Sequence, residues 1–245
     1  MSTSHTDDHQ PATFLLVHGA WHGAWCWKKL TPLLEAAGHR VVTCTQTGLA
    51  ERSHLLSKNI TLDNFIQDVV NLIRWEDLNN LILVGHSFGG NAISGAADQV
   101  PDAIRHLVYL DALVLKNGQS PFSVVPKDVA DHRRKLAMDS SDGLSIPVPD
   151  ASAFGVQDPD DKSWLHAKLT PHPLSVYEDA LNLSAEPGNG LPATYIAVTP
   201  HYLPTTSSRE YAQTRKDWSY IEMEAGHDAM VTSPKALAKI LLELC

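Results

Sequence analysis

The strongest constraint on the fold of this 245-residue chain is a five-residue string, Gly85-His86-Ser87-Phe88-Gly89, placed directly after the apolar run Leu81-Ile82-Leu83-Val84. An apolar run of that length reads as a buried strand. A strand that runs straight into Gly-x-Ser-x-Gly marks a sharp strand-to-helix turn, with a serine hydroxyl presented above the sheet edge. The glycines belong there because a Cβ at either place would collide with neighbouring backbone. Ala92-Ile93-Ser94-Gly95-Ala96-Ala97, just beyond, suit a helix packed closely on a sheet. Ser87 is therefore the candidate nucleophile, against the alternative of an ordinary tight turn.

The rest of the chain alternates in the same way. Thr13 to Val17 is an apolar run ending at His18-Gly19, and Trp25 to Ala37 has helical spacing stopped by Gly38. Arg40 to Cys44 reads as a strand. Leu62, Phe65, Ile66, Val69, Leu72 and Ile73 follow the 3-4 rhythm of an amphipathic helix capped by Thr61. After the elbow strand and its helix, His106 to Leu110 is a further strand, ending at Asp111. The rhythm then breaks over a proline-rich stretch with short helical pieces at Lys127 to Met138 and Leu174 to Leu183. It resumes with Thr194 to Val198, Arg209 to Thr214, Ser219 to Met223 and a last helix opened by Ser233-Pro234. Such alternation predicts an α/β fold, a mostly parallel sheet flanked by helices. Residues 113–192 form a helical cap inserted after the strand ending at Asp111, over the carboxyl ends of the strands, where open α/β sheets bind ligands. Residues 13–112 and 193–245 make the core, and 1–12 a disordered tail.

A serine hydroxyl needs a base, and the base needs an orienting acid. Of thirteen histidines, His227 alone sits on the loop after the last strand. The loop after Thr194 to Val198, Thr199-Pro200-His201-Tyr202-Leu203-Pro204, holds no carboxylate. Asp111 is then the candidate acid, the other reading being an aspartate that orders the cap hinge. Two backbone N–H groups complete the set, those of Phe88 and of Ala20 in the His18-to-Trp25 loop. Trp21 is expected to line the pocket, and Trp25 and Trp27 to be core. Phe122, Phe154, Trp164 and Tyr177 suggest an apolar substrate pocket in the cap, or else cap core.

Composition narrows the remaining choices. Net charge is −9 with no Lys/Arg run, which argues against nucleic acid or an anionic membrane as partner. Cys26, Cys44 and Cys245 show neither metal-ligand spacing nor a disulfide framework, which suits a reducing compartment, and Met1 to Pro11 has no signal-peptide pattern. A cytoplasmic enzyme without metal or cofactor is expected, its partner a small-molecule ester. Ile240-Leu241-Leu242 is either core or a homodimer contact.

Together Val17-His18-Gly19-Ala20, His22-Gly23-Ala24-Trp25, the Leu33-to-Val41 segment, Gly85 to Gly90 and Gly226-His227-Asp228-Ala229-Met230 resemble the α/β-hydrolase superfamily. The likeness is to the branch of plant methylesterases and hydroxynitrile lyases, and covers most of the chain from residue 13 on. It implies Ser87 as nucleophile, His227 as base, and Ala20 and Phe88 as oxyanion donors. In the plant enzymes the acid lies where this chain has Thr199-Pro200-His201-Tyr202, so His201 falls near its place. Asp111 occupies a position that some haloalkane dehalogenases use for their acid. The lyases carry a threonine at the position of Gly19 and a lysine beside their acid, and both are missing here. Ester hydrolysis is the expected chemistry, as in bacterial esterases of this branch. The rivals are a lyase, perhydrolase or cofactor-free dioxygenase on the same fold, and a ligand-binding receptor.

Overall fold

The computed structural model describes residues 11–245. Met1 to Gln10, most of the expected tail, lie outside them. Ala12 does not belong to a tail: it is buried, its N–H donates to His39 Nδ1 at 3.0 Å, and its carbonyl accepts from Arg40 N–H. These bonds extend the pairing of the first two strands by one residue.

The chain opens with β1 (Thr13–Val17), α1 (Thr31–Ala36), β2 (Arg40–Cys44) and α2 (Leu62–Trp75). Then follow β3 (Leu81–His86), α3 (Gly89–Gln99) and β4 (Ile104–Leu110). The stretch after β4 holds α4 (Lys127–Ser141), β5 (Ser145–Ile146), α5 (Pro159–His166), β6 (His172–Pro173) and α6 (Ser175–Glu178). The chain returns through β7 (Ala193–Thr199), α7 (Thr206–Thr214), β8 (Trp218–Glu224), α8 (Ala229–Thr232) and α9 (Pro234–Leu242). Six strands form one parallel sheet in the order β2-β1-β3-β4-β7-β8, while β5 and β6 pair antiparallel apart from it.

Local chemistry explains these elements. Every residue of β3 is buried, as a central parallel strand covered on both faces requires. In α2 the buried stripe Phe65, Ile66, Val69, Val70 and Ile73 faces the sheet and α3, each side chain contributing about 1.5–3 kcal/mol by leaving water. Thr61 and Asn64 form a reciprocal cap at its start. Gly95 lets α3 approach α2 closely, since a Cβ there would lie 2.3 Å from Ile66 Cδ1. Leu241 of α9 is core, with Ile240 and Leu242 half-buried.

Register brings the loops of interest to one edge. Val17 pairs with Gly85, His86 with Leu110, and Leu110 with Ile196. The carboxyl ends of β1, β3 and β4 are thus level. The chain leaves β1 toward β2 on one side and returns to β3 on the other, and such a reversal of direction opens a crevice between the two strand ends.

Three segments differ from the sequence reading. The Trp25 to Ala37 helix is a 3-10 helix over Ala24–Lys29 and α-helical only over α1, where Pro32 stands in its first turn. The Leu174 to Leu183 helix shrinks to the single turn α6, because Asp179 adopts an extended conformation and its carboxylate accepts from Leu62 N–H at 2.8 Å. Ser233 precedes α9 but makes no side-chain cap, since the short helix α8 runs into it and its N–H donates to Ala229.

Candidate active site

Ser87 occupies the turn between β3 and α3 with φ of +52°, a left-handed conformation that costs a non-glycine residue roughly 1–3 kcal/mol. The packing around it enforces that conformation. A Cβ on Gly85 would stand 2.9 Å from the Gly89 carbonyl oxygen, and one on Gly89 would stand 2.6 Å from that of His18. Asp111 at +40° and Trp21 at +65° share the left-handed region, so three of the loops that meet here are strained.

His227 lies on the loop between β8 and α8. Its Nε2 is 2.8 Å from Ser87 Oγ, and its Nδ1 is 2.7 Å from Asp111 Oδ2. An ionised carboxylate only accepts, so Nδ1 carries the proton and Nε2 presents its lone pair to the serine hydroxyl. Asp111 is fully buried, and Thr205 Oγ1 donates to its Oδ1 at 3.2 Å. Tyr202 stacks on the imidazole with ring centroids 3.6 Å apart, and His86 donates from Nε2 to the His227 carbonyl at 3.0 Å. Three residues brought together by the ends of β3, β4 and β8 can thus relay a proton from the Ser87 hydroxyl. His201 takes no part; it is exposed and hydrogen-bonded to Thr206 Oγ1.

The loop after β1 lies against the serine: a Cβ on Gly19 would come within 2.8 Å of Ser87 Cβ. Three histidine rings brace its peptides. His18 Nδ1 donates to the Gly19 carbonyl at 2.7 Å, His22 Nδ1 to the Ala20 carbonyl at 2.7 Å, and Trp21 N–H donates to His172 Nδ1 at 3.2 Å. In a trans peptide the C=O and N–H point opposite ways. Anchoring the Gly19 carbonyl therefore aims the Ala20 N–H to the other side. Neither Ala20 nor Phe88 N–H has a hydrogen-bond acceptor among the described residues, so both are free to donate to a group bound beside Ser87.

The protonation of these rings follows from their surroundings. Burial pulls His18 down to about 3, and it pulls His86 and His172 well below the ordinary histidine value, so all three are neutral. His22 is different. Burial opposes its charge, but the neighbouring Asp228 carboxylate, 3.0 Å from Nε2, outweighs burial and raises its pKa. Burial likewise pushes Asp228 up, yet the His22 charge and hydrogen bond hold it below the usual carboxylate value. Both His22 nitrogens face acceptors, so the pair is an imidazolium and a carboxylate, buried beneath the loop that carries Ala20.

A narrow cleft lies over Ser87, nearly filled by its own walls, with a free volume of about 20 Å³. Trp21 and Tyr177, two of the five expected wall residues, line it together with Phe88 and Tyr202. The other three expected wall residues lie elsewhere. Phe122 sits behind Tyr177 with ring centroids 5.0 Å apart, and Phe154 packs behind Trp21 and His22. Trp164 meets Trp25 edge-on at 5.1 Å, away from the cavity, and Trp27 is core. Sequence reasoning gave no role to Tyr202, Thr205, Arg133 or Asp228. Only Asp228 carried a signal, as the carboxylate adjacent to His227, and its true partner lies 206 positions away.

The insertion also touches the imidazole loop directly. Gly155, at φ +74°, is so close that a Cβ would stand 2.7 Å from Gly226 Cα, and Asp228 N–H donates to the Phe154 carbonyl.

A level parallel sheet, a strained serine between β3 and α3 and a histidine after the last strand define a hydrolase of the α/β class. The chain belongs to the alpha/beta hydrolase family, whose model matches residues 14–240. It is similar to the carbendazim hydrolyzing esterase of Nocardioides sp. (strain SG-4G), with 38% identity over 95% of this chain and 99% of that protein. It is also similar to methylesterase 2 of Arabidopsis thaliana, 37% identical over 50% of this chain and 47% of that protein. Among solved structures, an extracellular alpha/beta-hydrolase from a Paenibacillus species superposes with a TM-score of 0.81 at 26% identity, covering 95% of this chain and 98% of that one.

Proposed function

We propose that this chain is a serine carboxylesterase, hydrolysing small or aromatic carboxylic esters through an acyl-enzyme. The observation that carries the reading is the unbroken hydrogen-bonded line Ser87 Oγ, His227 Nε2, His227 Nδ1, Asp111 Oδ2. The Ser87 oxygen attacks the ester carbonyl carbon while its proton passes to His227 Nε2. Asp111 holds the ring in the required tautomer and stabilises the imidazolium. The oxyanion rests on the N–H groups of Ala20 and Phe88. Collapse breaks the bond to the alcohol, which leaves with the proton from His227. Water then attacks the acyl carbon, giving a proton to His227, and the acid departs as that proton returns to Ser87.

Relatives named as esterases and methylesterases support ester hydrolysis. Against cyanohydrin chemistry stands the glycine at position 19, where the lyases carry a threonine. A cytoplasmic location fits the cysteines: all three are free thiols, and burial pushes Cys26 up and Cys44 up to about 12, leaving both unreactive. Among the described residues no helix is long and apolar enough to cross a membrane. The test is a p-nitrophenyl ester with a fluorophosphonate probe. The chain should show burst release and label once, and Ser87→Ala should lose both. Full turnover by Ser87→Ala would refute the reading.

A further inference from the structure

The cavity wall over Ser87 contains a single charged side chain, Arg133 of α4. Every other side chain on the wall is neutral. The guanidinium carbon lies 5.8 Å from the Trp21 ring centroid and 5.3 Å from that of Tyr177, so two aromatic rings that also line the cavity flank it. Among the described residues Arg133 forms no hydrogen bond and no ion pair. Its neighbour behaves differently. Arg134 holds Glu178 through two bonds of 2.7 and 2.9 Å and Asp131 through one of 3.0 Å. Carboxylates are not scarce, since Asp and Glu outnumber Lys and Arg by 28 to 19. One arginine of the α4 pair is thus anchored on protein carboxylates. The other is placed on the wall of the reaction cavity with its donors unspent.

A guanidinium packed on ring faces keeps the N–H groups along its edge for an acceptor, in a fork that matches the two oxygens of a carboxylate. We propose that Arg133 recognises an anionic group on the substrate, and that the preferred esters carry a carboxylate near the scissile carbonyl, as hemi-esters of dicarboxylic acids do. This rests on the reading of Ser87 as an esterase nucleophile. The net charge of −9 does not oppose it at physiological salt, where charges beyond about 8 Å are screened and the local cation dominates.

The experiment compares p-nitrophenyl butyrate with mono-p-nitrophenyl glutarate, whose acyl chains differ by a terminal carboxylate. The readout is the ratio of their kcat/KM values. The wild-type chain should favour the hemi-ester, and Arg133→Gln should lower the ratio about 10- to 100-fold, the worth of a hydrogen-bonded charge. Arg133→Lys, which keeps the charge but not the fork, should fall between. A ratio that Arg133→Gln leaves unchanged, or a wild-type chain that prefers the neutral ester, overturns the proposal and makes Arg133 a packing residue. If neither ester is hydrolysed, the esterase reading has failed. Titration with glutarate, followed by tryptophan fluorescence, then decides alone: saturable binding lost in Arg133→Gln sustains the assignment, and no binding ends it.

Discussion

Removing the charge of Asp228 tests whether a buried ion pair underlies the loop that carries Ala20. The His22 and Asp228 side chains are 1% and 0% exposed and 3.0 Å apart. Truncation by Asp228→Ala strands the imidazolium and should destabilise the fold by about 3–5 kcal/mol, the usual cost of breaking such a pair. Asp228→Asn is more informative. With Nδ1 donating to the Ala20 carbonyl, His22 can become neutral and accept from the asparagine amide at Nε2. Its folded pKa then drops below the unfolded value of 6.5 rather than rising above it. In the wild type, the raised His22 contributes stability that is complete below pH 6.5 and is lost as pH rises through its folded pKa. The lowered Asp228 contributes above pH 3.8 and is lost as pH falls through its own folded pKa. Between those limits the pair is at full strength. In Asp228→Asn the unfolded chain gains a proton below pH 6.5 that the folded chain refuses. The stability gap to wild type should then widen as pH falls below 6.5, by up to about 1.4 kcal/mol per pH unit. His18, His86 and His172 stay neutral in both proteins and cancel in the difference. Equilibrium urea unfolding from pH 7 to pH 4.5 measures the gap. Parallel curves would refute a charged His22.

Two further changes probe the reaction. Asp111→Asn should lower kcat by roughly 10³–10⁴ while the circular dichroism spectrum stays native, because the wrong imidazole tautomer then faces Ser87; near-normal turnover would exclude Asp111 as the acid. Gly19→Ala should lower kcat by at least about 10², since a Cβ 2.8 Å from Ser87 Cβ must displace the peptide that carries the Ala20 N–H, the proposed oxyanion donor; acyl-enzyme formation rates from stopped-flow kinetics give the answer.

Much of the site could be read from residue order, because the chemistry sits where strands end. An apolar run followed by Gly85-His86-Ser87 locates the turn. The run Leu107-Val108-Tyr109-Leu110 delivers Asp111 to the same edge, and β8 delivers His227. The insertion was far less legible. Phe122, Phe154 and Trp164 are the aromatic residues that a pocket would use, but burial against another ring stabilises them equally well, and composition does not separate the two. Helix α5 begins with an Asp158 cap and Pro159, yet it is too short to show a clear apolar stripe. The His22–Asp228 pair joins residues from opposite ends of the chain, and no local spacing reports a contact of that kind.

The back-to-back glycines Gly155 and Gly226 join the inserted segment to the loop that carries the imidazole. Any displacement of the insertion at this point is passed to the loop that carries His227. A side chain at either glycine would therefore force the insertion and the His227 loop apart.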